Sequence, residues 1–145
     1  MGRGLGYVVL IYENYMSMIA MKRTDSDNED FQELVKLLDA DLSIRDGEDH
    51  SFYSQFNKIV SIKHVVVAYR EVVPIGCGAI KKYSDDAMEV KRMFVPITER
   101  GKGIATKILE ELESWARELG YKKCVLETGI RQPEAIALYN KLGYY

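Results

Sequence analysis

The stretch from Met88 to Leu119, MEVKRMFVPITERGKGIATKILEELESWAREL, constrains the fold of this chain more than any other. Met88–Val95 is a strand-like run that carries Val90, Met93, Phe94 and Val95. A turn, Pro96–Glu99, leads into Arg100-Gly101-Lys102-Gly103-Ile104-Ala105. Beyond it Ile104, Ile108, Leu112, Trp115 and Leu119 recur at three- and four-residue steps between Glu110, Glu111, Glu113, Arg117 and Glu118, which predicts a long amphipathic helix. Strand, glycine loop and helix together build an anion site. Glycine lets the backbone turn tightly, and the first N–H groups of a helix lack intrahelical acceptors. The helix dipole favours negative charge there by about 0.3–2 kcal/mol. Arg100 and Lys102 are expected to add positive charge.

The loop is not a Walker A motif, because no Lys-Ser/Thr pair follows its glycines. It also fails as a dinucleotide fingerprint, whose third glycine would fall at Thr106 and whose acidic residue would have to be Glu127. It resembles the acetyl-CoA loop of the GCN5-related N-acetyltransferases, Gln/Arg-x-x-Gly-x-Gly/Ala, here Arg100, Gly103 and Ala105. The preceding EVKRMFV and the downstream QPEAIALYNKLGYY resemble the same family in order and spacing, so that the likeness extends over residues 19–145. The resemblance implies an α/β fold with a mixed, centrally splayed sheet and flanking helices. It also implies acetyl-CoA as cosubstrate. The amides of Arg100, Gly101, Lys102, Gly103, Ile104 and Ala105 would hold the pyrophosphate. Main-chain groups of Phe94 and Val95 would meet the pantetheine arm, and an N–H there would polarise the thioester carbonyl. Gln132 stands where the family often has an asparagine near the cofactor arm. Pro96 follows Val95 directly and has no N–H to donate.

The resemblance also names two candidate catalytic residues. Glu89, eleven positions before Arg100, matches the catalytic glutamate of the histone-acetylating branch and would act as general base, through a water where needed. Its alternative role is an ion pair with Lys91 or Arg92. Tyr139, in Ala135-x-x-x-Tyr139-x-x-x-Gly143, matches the tyrosine that protonates the departing CoA thiolate; its alternative role is a core tyrosine on an amphipathic helix. Thiol and phenol have pKa values near ~8.5 and ~10, so the transfer is expected to be mildly uphill. The amine makes the larger demand. Presenting a lysine-type amine neutral at pH 7 costs about 4–5 kcal/mol, and a terminal α-amine only about 1.

A chain of 145 residues is long enough for one domain with its own core. A net charge of −2 implies no general affinity for nucleic acid. Cys77 and Cys124 are expected to be buried free thiols, which fits a reducing cytoplasm. Two histidines, His50 and His64, have no ligand-like spacing, and no metal is expected. Met1–Tyr15 is expected to be an upstream extension or vector-derived sequence ahead of the domain at 16–145, with Met16, Met18 and Met21 as alternative starts. Its apolar centre, Tyr7–Tyr12, is too short to span a bilayer, and its flanks make a poor signal peptide.

Along the chain, Ile19–Arg23 reads as a strand and Thr24–Asp27 as helix-capping chemistry. Phe31, Leu34, Val35, Leu38 and Leu42 mark a helix, and His50–Ile59 a second one. In the resembled family this region flanks the acceptor site. Val65–Tyr69, Pro74–Tyr83 and Met88–Val95 follow with short links, which predicts an antiparallel meander. Lys123–Glu127, reached through a helix, is expected to lie parallel to Met88–Val95. Pro133 suits a first helical turn, and Gly120 and Gly143 suit helix ends. The family continues past this point with two more strands, so the Lys123–Glu127 edge is expected to be open unless Tyr7–Tyr12 covers it.

These residues predict an N-acetyltransferase acting by direct transfer on an amine of a small molecule or peptide. A non-catalytic acyl-CoA-binding module is the alternative. Homodimers are common in the resembled family, so a homodimer is allowed.

Overall fold

The computed structural model of the chain describes residues 18–46, 61–126 and 133–144. Tyr7–Tyr12, the segment His50–Ile59, Glu127 and Gln132 lie outside the described residues, as does the expected extension at Met1–Tyr15.

Runs of β-branched residues set the sheet. The described elements are β1 (Ile19–Thr24), α1 (Glu29–Asp46), β2 (His64–Arg70), β3 (Val73–Ser84), β4 (Ala87–Phe94), a 3-10 turn (Ile97–Glu99), α2 (Ile104–Glu118), β5 (Lys123–Leu126) and α3 (Pro133–Lys141). The strands form one sheet in the order β1-β2-β3-β4-β5. β1 through β4 are antiparallel, which the short links predict for β2, β3 and β4. β5 pairs parallel to β4 from Ala87↔Lys123 to Val90↔Leu126, because α2 carries the chain back across the sheet. β4 therefore runs four residues, Lys91–Phe94, past its last pairing with β5.

Each face of the sheet has its own core. On one face Val66, Ala68, Ile80, Met88 and Val90 meet Ile104, Ile108, Leu109, Leu112 and Ala116 of α2, with Tyr139 and Leu142 packed alongside. On the other, Val65, Val67, Cys77, Ala79 and Phe94 meet Phe31 and Leu34 of α1. Burying one such side chain stabilises the fold by about 1.5–3 kcal/mol. Two glycines of β3 let α2 come close. A Cβ at Gly76 would lie 2.9 Å from Ile108 Cδ1, and one at Gly78 would lie 2.9 Å from both Ile108 and Leu112 and collide with Met93 Sδ.

Two details differ from the sequence reading. The helical face of α2 buries Leu109 and Ala116, while Leu119 is exposed and Trp115 only partly covered. A strict run of three- and four-residue steps picks out one stripe, but the sheet contacts a broader face. Trp115 instead packs edge-on to His64 at 4.8 Å and under Arg23 at 5.0 Å. Arg23 also bridges Glu111 at 2.7 Å and Glu118 at 2.6 Å, tying β1 to α2. The cap of α1 is Asn28, whose Oδ1 accepts the Phe31 N–H at 2.9 Å. The residues before it have other work: Asp25 closes an Asx turn on Asp27, and the Ser26 hydroxyl accepts the Ile62 N–H.

Candidate active site

The candidate site lies where β4 runs on past Val90↔Leu126, its last pairing with β5 among the described residues. Cys77 stands opposite Phe94 and Ala79 opposite Lys91, so β4 spends one residue more than β3 over this interval. That is a β-bulge. Arg92 takes it up with φ +59, a left-handed conformation that strains a non-glycine residue by about 1–3 kcal/mol. The bulge changes which way the following residues face. Met88 and Val90 point to the α2 core, and plain alternation would send Phe94 there too. Instead Met93 and Val95 join the α2 core and Phe94 joins the α1 core. The extra residue thus falls just ahead of Phe94 and Val95, the two expected to meet the pantetheine arm.

The chain then turns through Pro96, whose carbonyl accepts the Glu99 N–H at 2.8 Å, and enters the glycine loop. Gly101 and Gly103 both have φ +79, and Gly103 is the N-cap of α2 in the left-handed region. A Cβ would meet nothing within 4 Å at either position, so these glycines answer to backbone conformation and not to space. The Lys107 N–H closes the first turn on the Gly103 carbonyl at 3.2 Å. The amides ahead of it, from Ile104 to Thr106, are those that a helix start leaves to an outside acceptor. The first turn has no acidic residue and Gly103 makes no side-chain cap, so nothing there competes with an anion.

The two cations of the loop do not stand free beside those amides. Arg100 folds back: its Nε donates to the Val95 carbonyl at 2.8 Å, its Nη2 lies 3.7 Å from Asp41 of α1, and its guanidinium lies 5.9 Å from the centre of the Phe94 ring. Lys102 Nζ lies 3.6 Å from Glu99, which also accepts from Arg70 at 2.6 Å. The Arg70 hydrogen bond, with the charges of Arg70 and Lys102, holds the Glu99 carboxyl below its ordinary pKa. The positive charge expected of Arg100 and Lys102 is therefore largely matched by carboxylates. The positive potential left unmatched by a carboxylate is that of the loop amides and the helix start.

Glu89 lies between Met88 and Val90 on β4, so it points to the α1 face. Its carboxylate is 3.6 Å from Lys91 Nζ, and both side chains are mostly covered. Tyr139 packs against the opposite core, on the α2 face. Burial pushes its phenol up to about 12. Tyr144 holds it in place: the rings meet edge-on at 6.1 Å, the Tyr144 N–H donates to the Tyr139 carbonyl at 3.0 Å, and the Tyr144 hydroxyl donates to Glu113 of α2 at 2.7 Å. Gly143, at φ +96, makes the turn that brings Tyr144 back. The two catalytic candidates thus lie on opposite faces of the sheet, Glu89 within the part of β4 that pairs with both β3 and β5. The sequence reading missed the Tyr144–Glu113 contact and the burial of Arg92, since neither residue carries a local signal of its role. Gln132 falls outside the described residues.

A mixed five-stranded sheet with flanking helices, and a helix start beside a bulged strand, is the α/β scaffold of the acyl-CoA N-acyltransferase class. Residues 31–144 match the family model described as the acetyltransferase (GNAT) family, and the chain belongs to that family, whose enzymes take acetyl from acetyl-CoA. It is 45% identical over 80 residues to an IAA acetyltransferase of Azospirillum brasilense, covering 54% of this chain and 52% of that protein. It is 40% identical over 82 residues to YjgM of Escherichia coli (strain K12), an uncharacterised N-acetyltransferase, covering 54% and 48%. The chain thus spans about half the length of the curated relatives it matches. A crystal structure described as an acyl-CoA N-acyltransferase from Klebsiella pneumoniae superposes with a TM-score of 0.72 at 27% identity, over 88% of this chain and 83% of that one.

Proposed function

We propose that the chain is an N-acetyltransferase that moves acetyl from acetyl-CoA to an amine of a small molecule or peptide by direct attack. The observation that carries the reading is the bulge of β4 beside the start of α2, since together they provide main-chain donors for both ends of one extended ligand. The amides of residues 101–105 hold the pyrophosphate. The Val95 carbonyl is already engaged by Arg100, so the Val95 N–H is the group there that meets the pantetheine or thioester. The amine enters from the α1 face, where Glu89 lies. Its nitrogen attacks the thioester carbon, the C–S bond breaks, and CoA leaves as a thiolate. The nitrogen loses its proton to Glu89 or to a water that Glu89 orients.

Tyr139 serves the leaving group from the other face. A phenol at about 12 lies roughly 3.5 pKa units above a CoA thiol near ~8.5, so complete proton transfer is uphill by about 5 kcal/mol. That is steeper than the sequence alone predicts. Tyr139 therefore acts chiefly as a hydrogen-bond donor to sulfur as negative charge develops on it.

A non-catalytic acyl-CoA-binding module is the second reading. The Glu89–Lys91 contact at 3.6 Å favours it, because it gives the carboxylate a structural partner within the strand. Calorimetric titration with acetyl-CoA followed by a thiol-release assay on a panel of amines separates the two. Saturable binding with turnover of at least one amine is expected. Binding without turnover on any amine would support the module, and absence of binding would remove both readings. The IAA acetyltransferase relative makes small-molecule acceptors the first to assay.

A further inference from the structure

We propose that Arg92, held by Asp39 of α1, is a positioning residue for acetyl transfer: it fixes the β4 bulge and so aims the amides that follow it at the thioester. This rests on the reading of the chain as an acetyl-CoA-dependent enzyme. Two contacts and a backbone conformation converge on this residue. Its guanidinium is nearly covered, with 10% of the side chain exposed, and lies 3.7 Å from Asp39, itself 17% exposed. Its carbonyl accepts the Cys77 thiol at 3.4 Å. Its backbone is left-handed, at φ +59.

A surface arginine needs none of these, and a bulge needs no arginine, because glycine occupies that conformation without strain. A buried cation also carries a desolvation penalty that a structural filler would avoid. That penalty lowers the pKa of Arg92, and the charge of Asp39 opposes the shift. Asp41, two residues along α1, lies near Arg100, and Arg100 in turn holds the Val95 carbonyl. The two aspartates of one helix thus brace both ends of the segment that runs from the bulge to the glycine loop. The brace thus links α1 to the backbone between the bulge and the glycine loop.

The test reads the bound cosubstrate and needs no knowledge of the amine. Acetyl-CoA labelled with ¹³C at the thioester carbonyl is bound to the full chain and its infrared band recorded, with affinity for CoA measured alongside. In the unaltered protein the band is expected below that of free acetyl-CoA. Arg92→Gly keeps the backbone conformation and removes the anchor. It is expected to lose roughly half of that shift or more, while affinity changes less than about threefold, because the loop amides are untouched. Arg92→Lys, which keeps the cation, is expected to retain most of the shift.

An unchanged band in Arg92→Gly would overturn the proposal and leave the enzyme reading standing. If Arg92→Gly does not fold, Asp39→Asn decides: a lost shift supports the brace and an unchanged one overturns it. If the unaltered protein does not bind acetyl-CoA, the enzyme reading fails and this proposal falls with it.

Discussion

At the scale of single residues, the two catalytic candidates differ in how their surroundings treat charge. Tyr139 is neutral by necessity. Its phenol is raised to about 12 by burial, against about 10 in an unfolded chain, so folding favours the protonated form. The stability this contributes is complete below pH ~10 and is lost as pH rises toward 12. Tyr69, raised to about 12 by burial and then by its bond to Asp30, acts in the same direction. Thermal midpoints are therefore expected to hold steady to about pH 9.5 and fall between about 10 and 12, with a shallower fall in Tyr139→Phe. A midpoint that does not respond above pH 10 would remove this account of both phenols. In catalysis, Tyr139→Phe is expected to lower kcat by about 10- to 100-fold, with affinity for CoA changed less than threefold. Steady-state kinetics beside a CoA titration measures both, and equal losses in the two would make Tyr139 a packing residue.

At the scale of elements, the helix start and the strand below it make opposite demands on glycine. Gly103 has open space around its Cβ position but φ +79, whereas Gly78 has no space and no such φ. Gly103→Ala is expected to strain the N-cap by about 1–2 kcal/mol and to weaken CoA binding as the amides move. Gly78→Val is expected to push Ile108 and Leu112 off the sheet and to lower unfolding stability by about 1–3 kcal/mol. Urea unfolding and CoA titration of both variants test the contrast. If Gly78→Val weakens binding without loss of stability, the close approach of α2 to β3 is not what that glycine provides.

At the scale of the whole molecule, the proposed ligand touches β4 and α2, which one short loop joins, and α3, which lies beyond β5 in the chain. Occupancy should therefore stabilise the fold as a unit. Acetyl-CoA at 100 times its Kd adds about 2.7 kcal/mol, which for a chain of this size raises Tm by roughly 5–10 °C. Differential scanning fluorimetry against acetyl-CoA concentration reads this directly. A flat response would count against binding to the folded state.

Much of the architecture was legible in order and type. The meander, the parallel return of β5 and the glycine loop each follow from local pattern: β-branched runs, link lengths, and glycines beside a 3.6-residue period. The resemblance to the acetyl-CoA loop rested on Arg100, Gly103 and Ala105, and the family match bears it out. Three features escaped. Asn28 rather than Thr24–Asp27 caps α1, because several polar residues in a row compete for one cap and only the packed chain chooses. Trp115 left the core stripe because Arg23 and His64, distant in sequence, hold it at the sheet's margin. Arg100 folds back from the loop because the Val95 carbonyl and Asp41 of α1, which the folded chain brings beside it, take its guanidinium.

The sequence by itself determined which segments are strand, loop and helix, since those depend on neighbours within a few residues. Only the tertiary structure decided that Arg92 takes up the bulge of β4 and is nearly covered there, and that Glu89 and Tyr139 lie on opposite faces of the sheet. A strand's facing flips with one inserted residue, and nothing in Arg92 or its neighbours marks that insertion. The register is set instead by contacts with β3, α1 and α2, which the chain makes only when it is folded.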